Sequence, residues 1–356
     1  MPRRRLLMAA FTATLLALVL MQGCTPKAPD IPEPPRSYAG QYVGYSWQGE
    51  AQGVALADAT QYIETILELD DKGIITDAKM RFFVKVDGYW TTRQSGNATV
   101  AINYAVTPEA ATPGDSYARG KSMFTVSTAD MMSFYASGVN TDGTVAAVLV
   151  CPVTRYQYEV RLPANFDFST KVSDLTIGSG LLVPTVRTSA GGLLRPSDWA
   201  SLANKTIFDI SVWSHVVNDV GIFAGVNNAS SVQRFLEAMG VTFVDGKPQT
   251  KPATYGYFGL GGWTGNYGAV EQWLIGKDAT QVTSLVDWSV PRYAGAINDK
   301  NQFGIDVASG ATRTVQNSID GISGATVRIS RESTSYQRAL VRAGIIAAKD
   351  VIIGRF

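Results

Sequence analysis

An alternating pattern of side chains marks the first strands of the chain. One set of alternate positions comprises Ile63, Thr65, Leu67 and Leu69, and the other comprises Tyr62, Glu64, Ile66 and Glu68. A period of two is expected of a strand in a sheet with one covered face. Residues 70–73, Asp-Asp-Lys-Gly, then supply turn chemistry before another strand over residues 74–86. The pattern therefore predicts a β-hairpin.

A second hairpin and two helices are also predicted. Asn-Thr-Asp-Gly at residues 140–143 precedes an apolar run at 145–150, as a turn precedes a strand. Ser230 is expected to cap a helix that Gly240 ends, and another helix is expected to begin near Ser333. Their apolar stripes are Val232, Phe235, Leu236 and Met239 in the first helix, and Tyr336, Leu340, Ala343 and Ala347 in the second.

These elements predict an α+β protein: a twisted antiparallel sheet with few helices, in two domains. A stretch rich in small residues, glycine and proline runs from Thr188 to Pro196 and is typical of a boundary. We therefore expect a β-rich domain over residues 38–190 and a second domain over residues 191–356.

The first residues predict export. Arg3, Arg4 and Arg5 precede an uncharged apolar run over residues 6–20, which is shorter than the roughly 20 residues of a membrane-spanning helix. This arrangement is typical of a secretory signal, here residues 1–23. Gly23 followed by Cys24 resembles a lipobox, which implies that Cys24 carries membrane lipid and that the chain is an extracytoplasmic protein of the cell envelope.

A proline-rich segment follows the lipidation residue. Residues 24–37 contain Pro26, Pro29, Pro32, Pro34 and Pro35. Such a composition stays extended and buries little, so we expect a tether of about 3 Å per residue between the membrane and the folded protein.

Charge and residue usage exclude several function classes. Loss of the three arginines of the signal turns the formal charge of the chain from +1 to −2, which leaves no basic excess for nucleic-acid binding. His215 is the only histidine, so a metal site built on a histidine cluster is excluded. No Gly-x-Ser-x-Gly elbow accompanies His215 to suggest a serine hydrolase. With Cys24 lipidated, Cys151 has no disulfide partner and is expected to be a small buried side chain.

The stretch with the most distinctive chemistry is Asp320-Gly321-Ile322-Ser323-Gly324-Ala325-Thr326. A threonine hydroxyl that enters a transferase pocket needs small neighbours, which Gly324 and Ala325 supply. Gly324 also lets backbone amides approach phosphate oxygens. A helix start would add a partial positive charge, although the predicted helix begins about eight residues after Thr326.

This stretch resembles the flavinylation motif Asp-x-x-Ser/Thr-Gly-Ala-Thr. The motif belongs to the FMN-binding domain family shared by the C subunit of the sodium-translocating NADH:quinone oxidoreductase and the G subunit of the Rnf complex. In that family a flavin transferase moves FMN from FAD to the last threonine and leaves a phosphoester. The resemblance implies that Thr326 is the acceptor, that Asp320 and Ser323 recognise or position it, and that Gly324 and Ala325 give access.

A second stretch fits the same pattern. Asp306-Val307-Ala308-Ser309-Gly310-Ala311-Thr312 makes Thr312 an alternative acceptor. We prefer Thr326 because the family places its motif before an alanine-rich helix, which follows only the second copy. Val327 and Arg328 depart from the family, which often has threonine and serine there. The resemblance is clear over about residues 305–350.

Two further segments are loosely similar to the family. The glycine-rich aromatic segment 257–268 is similar to one beside the flavin, and as a loop it could lay Trp263 or Tyr257 against the isoalloxazine. The other interpretation is a loop whose aromatic residues pack inward. Residues 42–53 and the first hairpin resemble the opening strands of the family. Either they form a second copy without a motif, or one flavin domain is interrupted by a long insertion.

The resemblance implies an extracytoplasmic lipoprotein with covalent FMN that acts as an electron carrier rather than an enzyme, with no catalytic residue of its own. The expected partners are a flavin transferase, membrane lipid through Cys24, and redox proteins or a quinone-linked dehydrogenase. One alternative is a non-redox surface or periplasmic lipoprotein that binds a ligand or a protein. Another is a reductase with its own substrate pocket.

Overall fold

The structure is a computed structural model of the chain. The residues it describes are 36–113, 120–130, 132–150, 156–186, 198–210, 221–259, 261–289, 291, 297–298, 313–315, 329–354 and 356. The expected signal segment, Cys24, nearly all of the tether, Cys151 and His215 lie outside these ranges, so the expectations for them stay predictions.

A four-stranded antiparallel sheet contains the first predicted hairpin. Its strands, in spatial order, are β1 (Gly40–Trp47), β2 (Gln61–Leu69), β3 (Ile75–Val86) and β4 (Tyr89–Thr92). Ile63, Thr65, Leu67 and Leu69 of β2 are buried, which confirms the face predicted from the alternation. β2 and β3 pair as the predicted hairpin, with Leu67 opposite Ala78.

A five-stranded antiparallel sheet and a two-stranded ribbon form the middle of the chain. The sheet has the order β10-β9-β8-β7-β13, and the ribbon pairs β5 with β6. The bounds are β5 (Ala98–Ile102), β6 (Phe124–Thr128), β7 (Phe134–Val139), β8 (Val145–Val150), β9 (Tyr156–Leu162), β10 (Val183–Val186) and β13 (Lys251–Tyr257). The predicted turn at residues 140–143 does join β7 to β8. All of β8 is buried because both faces of the sheet are covered, which explains its unbroken apolar sequence.

Within the described ranges, the remaining elements are short strands, four α-helices and several 3₁₀ turns. The strands are β11 (Phe243–Val244), β12 (Lys247–Pro248), β14 (Ile297–Asn298), β15 (Arg313–Val315) and β16 (Ile352–Gly354); the helices are α1 (Ile207–Ile210), α2 (Val232–Ala238), α3 (Gly262–Leu274) and α4 (Ile329–Arg342). β15 and β16 pair in parallel, whereas the larger sheets are antiparallel. The α+β prediction is confirmed. Of the helices described, none combines the length and apolar character needed to cross a membrane.

Helix α2 has the predicted stripe and a different cap. Val232, Phe235, Leu236 and Met239 are all buried, as expected. The cap is Ser231, whose side chain accepts a hydrogen bond from the backbone N–H of Arg234 at 3.1 Å. The prediction that Ser230 caps the helix is wrong by one residue, because Ser230 Oγ instead accepts from the N–H of Asn227 in the preceding turn.

Helix α4 begins earlier than predicted. Its described range starts at Ile329, four residues before Ser333. Tyr336, Leu340 and Ala343 are buried as expected, but Ala347 is exposed. The prediction for Ala347 is wrong because the helix ends at Arg342 and a turn at Gly344 follows, so Ala347 lies beyond the buried face of the helix.

The cores do not follow the predicted division at residues 190 and 191. Residues 38–356 form one compact unit, and β7 pairs with β13 across the expected boundary. The first core joins the inner face of β2 and β3 to α3, α4 and the segment at 279–286. A second core lies around β8, β9 and α2. Segments near both ends of the chain thus share one core, with the residues between them forming another.

Candidate functional site: a pocket beside helix α4

The sequence-predicted attachment residues lie just before α4. Thr312, Asp320, Ser323, Gly324, Ala325 and Thr326 are all outside the described residues. Thr326 precedes Ile329 by three positions, so covalent geometry keeps it within about 11 Å of the described start of the helix. The surroundings of the first turn of α4 therefore form the environment that a group on Thr326 can reach.

β1 and β16 hold the first turn of α4. Ser46 of β1 donates a hydrogen bond from Oγ to the carbonyl oxygen of Arg331 at 2.8 Å. The N–H of Gly354 donates to Oγ1 of Thr334 at 2.9 Å. A Cβ on Gly354 would lie 2.3 Å from the carbonyl carbon of Ser330, so glycine is required for this close approach.

A pocket of about 290 Å³ lies beside this turn. We call it the α4 pocket. It is lined by Trp47, Gln48, Gly49, Glu50, Ala51, Gln52, Ile353, Gly354 and Phe356. Gly354 contacts the helix backbone directly, and the ring of Phe356 lies 5.6 Å from the guanidinium carbon of Arg331. The pocket and the start of α4 are therefore neighbours.

The chemistry of the α4 pocket is aromatic, amide and acidic. Glu50 is only 2% exposed, and its Oε1 accepts a hydrogen bond from Arg338. Among the described residues, its Oε2 has no hydrogen-bond partner. The guanidinium carbon of Arg338 also lies 4.7 Å from the ring centre of Trp47, and burial lowers the pKa of Arg338 to about 10, so it is still cationic at neutral pH. The free oxygen of Glu50 is a hydrogen-bond acceptor for an N–H or O–H group of a ligand.

Two arginines stack on aromatic rings next to the α4 pocket. The guanidinium carbons of Arg93 and Arg331 lie 4.6 and 4.7 Å from the ring centre of Phe82. They lie 5.6 and 5.5 Å from that of Trp263. We call Phe82, Arg93, Trp263, Arg331 and Phe356 the arginine–aromatic cluster. Stacking on ring faces leaves the edge donors of a guanidinium able to bind an anion.

A buried carboxylate holds Arg331 in place. Glu332 is fully buried, and its Oε1 accepts from Nε of Arg331 at 3.1 Å and from the hydroxyl of Tyr267 at 2.8 Å. Burial raises the pKa of Glu332, and the adjacent Arg331 opposes this shift. Burial and the nearby Glu332 also raise the pKa of Tyr267, so its hydroxyl stays protonated.

Trp263 and Tyr257 occupy different surroundings. Trp263 lies in α3 rather than in a loop, is 5% exposed, and meets Phe82 edge-on at 5.0 Å. Phe82 in turn meets Phe356 at 5.8 Å, so Trp263 is linked through two rings to the α4 pocket. Tyr257 lies at the end of β13 and donates to the carbonyl of Gly96 at 3.3 Å. The expected loop is thus a strand end, a turn and a helix, and its aromatic side chains pack inward. Their contact with a flavin stays a prediction.

No family model, curated protein or solved structure matches the chain. The interpretation of the site therefore depends on the motif, its place before α4 and the geometry around that helix.

Sequence reasoning missed most of the pocket. Glu50 and Trp47 lie within the segment that resembles the opening strands of the family, and an acidic residue after a strand was the available signal. No sequence signal indicated Phe356 or Arg93, because only the tertiary fold brings these residues next to Arg331. Arg331 stands five residues after Thr326 and could have been noted as a cation close to a phosphate.

Proposed function

We propose that this chain is an exported lipoprotein that carries FMN esterified to Thr326 and passes electrons in the cell envelope. The observation that carries the proposal is the place of the Asp320–Thr326 motif. It stands three residues before a helix whose first turn adjoins both the α4 pocket and the arginine–aromatic cluster.

The residues of the α4 pocket suit a flavin ring. Isoalloxazine has flat apolar faces and an edge of N–H and C=O groups. Trp47 and Phe356 offer apolar rings, Gln48 and Gln52 offer amides, and Glu50 offers a free acceptor oxygen. The volume is close to the lower limit of small-molecule pockets, about 300 Å³. When bound, the flavin would supply the one- and two-electron chemistry that the twenty amino acids lack.

The surroundings of α4 also suit a phosphoester. Attachment would join the oxygen of Thr326 to the FMN phosphorus of FAD; the bridging P–O bond breaks, AMP leaves, and the hydroxyl proton is lost. The product keeps one negative charge on phosphate. Among the described residues, Arg331 and Arg93 supply guanidinium groups beside the first turn of α4, and these groups and the start of the helix would provide positive charge for it.

The environment of Thr312 differs from that of Thr326. Thr312 immediately precedes β15, which pairs with β16, whereas Thr326 precedes a helix. The family places its acceptor before a helix, so the difference favours Thr326. Thr312 remains the alternative acceptor in this proposal.

Co-expression with a flavin transferase tests the attachment. We expect the denatured protein to fluoresce yellow-green on a gel and to gain the mass of FMN less one water. Thr326→Val should abolish both signals, and Thr312→Val is the matched control that should keep them. An unaltered chain that gains no flavin mass would overturn the proposal. Loss of flavin only in Thr312→Val would assign the attachment to Thr312 instead of Thr326.

The proposal includes the membrane anchor and the partners. Cys24 would carry the lipid, a flavin transferase would load FMN, and redox proteins or a quinone-linked dehydrogenase would exchange electrons with it. Metabolic labelling with palmitate should mark the unaltered chain and not Cys24→Ser. A chain that takes up lipid but no flavin would favour the alternative, a binding lipoprotein without redox chemistry.

A further inference from the structure

A second cavity lies away from the α4 pocket, between the β3–β4 hairpin and the β5–β6 ribbon. Its volume is about 370 Å³, within the range of small-molecule sites. We call it the hydroxyl groove. It is lined by Val86, Thr91, Ser95, Asn97, Ala98, Thr99, Ser127, Thr128 and Ala129.

Uncharged polar residues predominate in the lining, while apolar atoms supply most of its exposed surface. Six of these described lining residues carry a hydroxyl or an amide, and none of them carries a charge. Thr99 and Ser127 are directly opposite each other in the ribbon, so their side chains are about 5 Å apart at Cβ. A lining of this kind offers many donors and acceptors and no counter-ion, so it suits a neutral ligand rich in hydroxyl groups.

The polar groups of the groove are available. Thr128 Oγ1 is engaged with the backbone at Asn97 and Asp130. The side chains of Thr91, Ser95, Asn97, Thr99 and Ser127 form no hydrogen bond with any residue that the structure describes. The groove therefore has four hydroxyl groups and one amide that the described fold does not use.

An exposed aromatic ring stands at the edge of the groove. Tyr89 pairs with Val86, and Thr91 pairs with Val84. Because side chains alternate along a strand, Tyr89, Thr91 and Val86 point to the same side of the hairpin. Thr91 and Val86 line the groove, and Tyr89 is 81% exposed. An aromatic ring beside a set of free hydroxyl groups matches a sugar, which has apolar C–H faces and a polar rim.

We propose that the hydroxyl groove binds a neutral oligosaccharide, with Tyr89 packing against a sugar ring and the side chains of Thr99, Ser127 and Asn97 bonding its hydroxyl groups. Acidic glycans and nucleic acids are disfavoured because the described lining has no cation. Lipid chains are disfavoured because six of the nine lining residues carry a hydroxyl or an amide group, which a lipid chain would leave without a hydrogen-bond partner. This site is independent of flavin attachment.

Titration of the intact chain with neutral oligosaccharides tests the site. The probes are maltotetraose, cellotetraose and tetra-N-acetylchitotetraose, with an acidic uronic-acid oligosaccharide as the ligand expected not to bind. We expect at least one neutral probe to bind. Tyr89→Ala should weaken binding about tenfold, and Tyr89→Phe, which keeps the ring, should leave it nearly unchanged.

A second variant tests the polar contacts without changing the shape of the groove. Thr99→Val replaces a hydroxyl by a methyl group and should weaken binding about fivefold. Val244→Thr, on the exposed strand β11, is the control that should have no effect. Failure of every neutral probe to bind at about 10 mM, or binding that neither Tyr89→Ala nor Thr99→Val weakens, overturns the proposal.

Discussion

Replacement of Gly44 by alanine should separate α4 from the sheet. Gly44 lies in β1 where α4 crosses it. An added Cβ would lie 2.0 Å from the carbonyl oxygen of Ser335 and 2.4 Å from the backbone nitrogen of Ala339. Ordinary contact begins near 3.4 Å, so the helix has to retreat by more than about 1 Å. No side-chain rotation relieves this clash, because both contacted atoms are backbone.

The retreat would disturb several contacts together. The buried hydrogen bond between the hydroxyl groups of Thr65 and Ser335, 2.6 Å long, joins α4 to β2. The bond from Ser46 to the carbonyl of Arg331 joins the helix to β1. Overpacking of a core costs typically about 1–3 kcal/mol, and we expect Gly44→Ala to reach the upper end, a loss of about 3 kcal/mol in the free energy of unfolding.

Gly268→Ala is the matched control. Gly268 lies in α3, and an added Cβ would meet nothing within 4 Å. The same substitution there removes chain entropy from the unfolded state and should stabilise the protein by about 1 kcal/mol. Denaturant unfolding followed by tryptophan fluorescence measures both variants. A Gly44→Ala protein within about 0.5 kcal/mol of the unaltered protein would refute the close contact between β1 and α4.

Two further predictions concern buried carboxyl groups. Burial raises the pKa of Asp130, which accepts the N–H of Trp263 at 2.9 Å, to about 6. The folded state then holds a proton that the unfolded state loses near pH 4, so the free energy of unfolding should fall as the pH rises from about 4 to about 6. Asp130→Asn should flatten that slope in denaturant titrations, and an unchanged slope would contradict the assignment. Glu332→Ala should lower the free energy of unfolding by about 3 kcal/mol, because it leaves Arg331 and Tyr267 without their acceptor. Glu332→Gln should lower it by less. Equal melting curves for the two variants would argue against a buried ion pair.

Local patterns predicted the elements well. The alternation in β2 identified its buried face because one side of that sheet packs on helices and the other does not. The continuous apolar run in β8 predicted a strand but not its position in the sheet. A strand that is covered on both faces has no alternation from which its orientation could be inferred. The cap of α2 was missed by one residue because Ser230 and Ser231 are both good cap residues and only the turn before them decides between them.

Contacts between distant residues could not be predicted. The glycine- and proline-rich stretch near residue 190 has the composition of a linker. β7 and β13 nevertheless pair although they lie on opposite sides of it in the sequence, and no local sequence pattern indicates this pairing. The α4 pocket joins a turn after β1 to Ile353, Gly354 and Phe356, and both Arg93 and Arg331 pack on the rings of Phe82 and Trp263. The motif at residues 320–326 predicts flavin attachment, whereas the side chains beside the first turn of α4 are brought together only by the fold.

The shared first core has a consequence for the order in which the protein matures. Strands β1 to β3 offer an apolar face that α3 and α4 cover, yet more than 160 residues separate β4 from α3. A chain that is synthesised from its N-terminus must therefore leave this face uncovered until the later segments have been made, which favours slow folding and chaperone binding. Because the α4 pocket also needs both segments, any ligand that binds there can stabilise only a chain whose synthesis has passed Phe356.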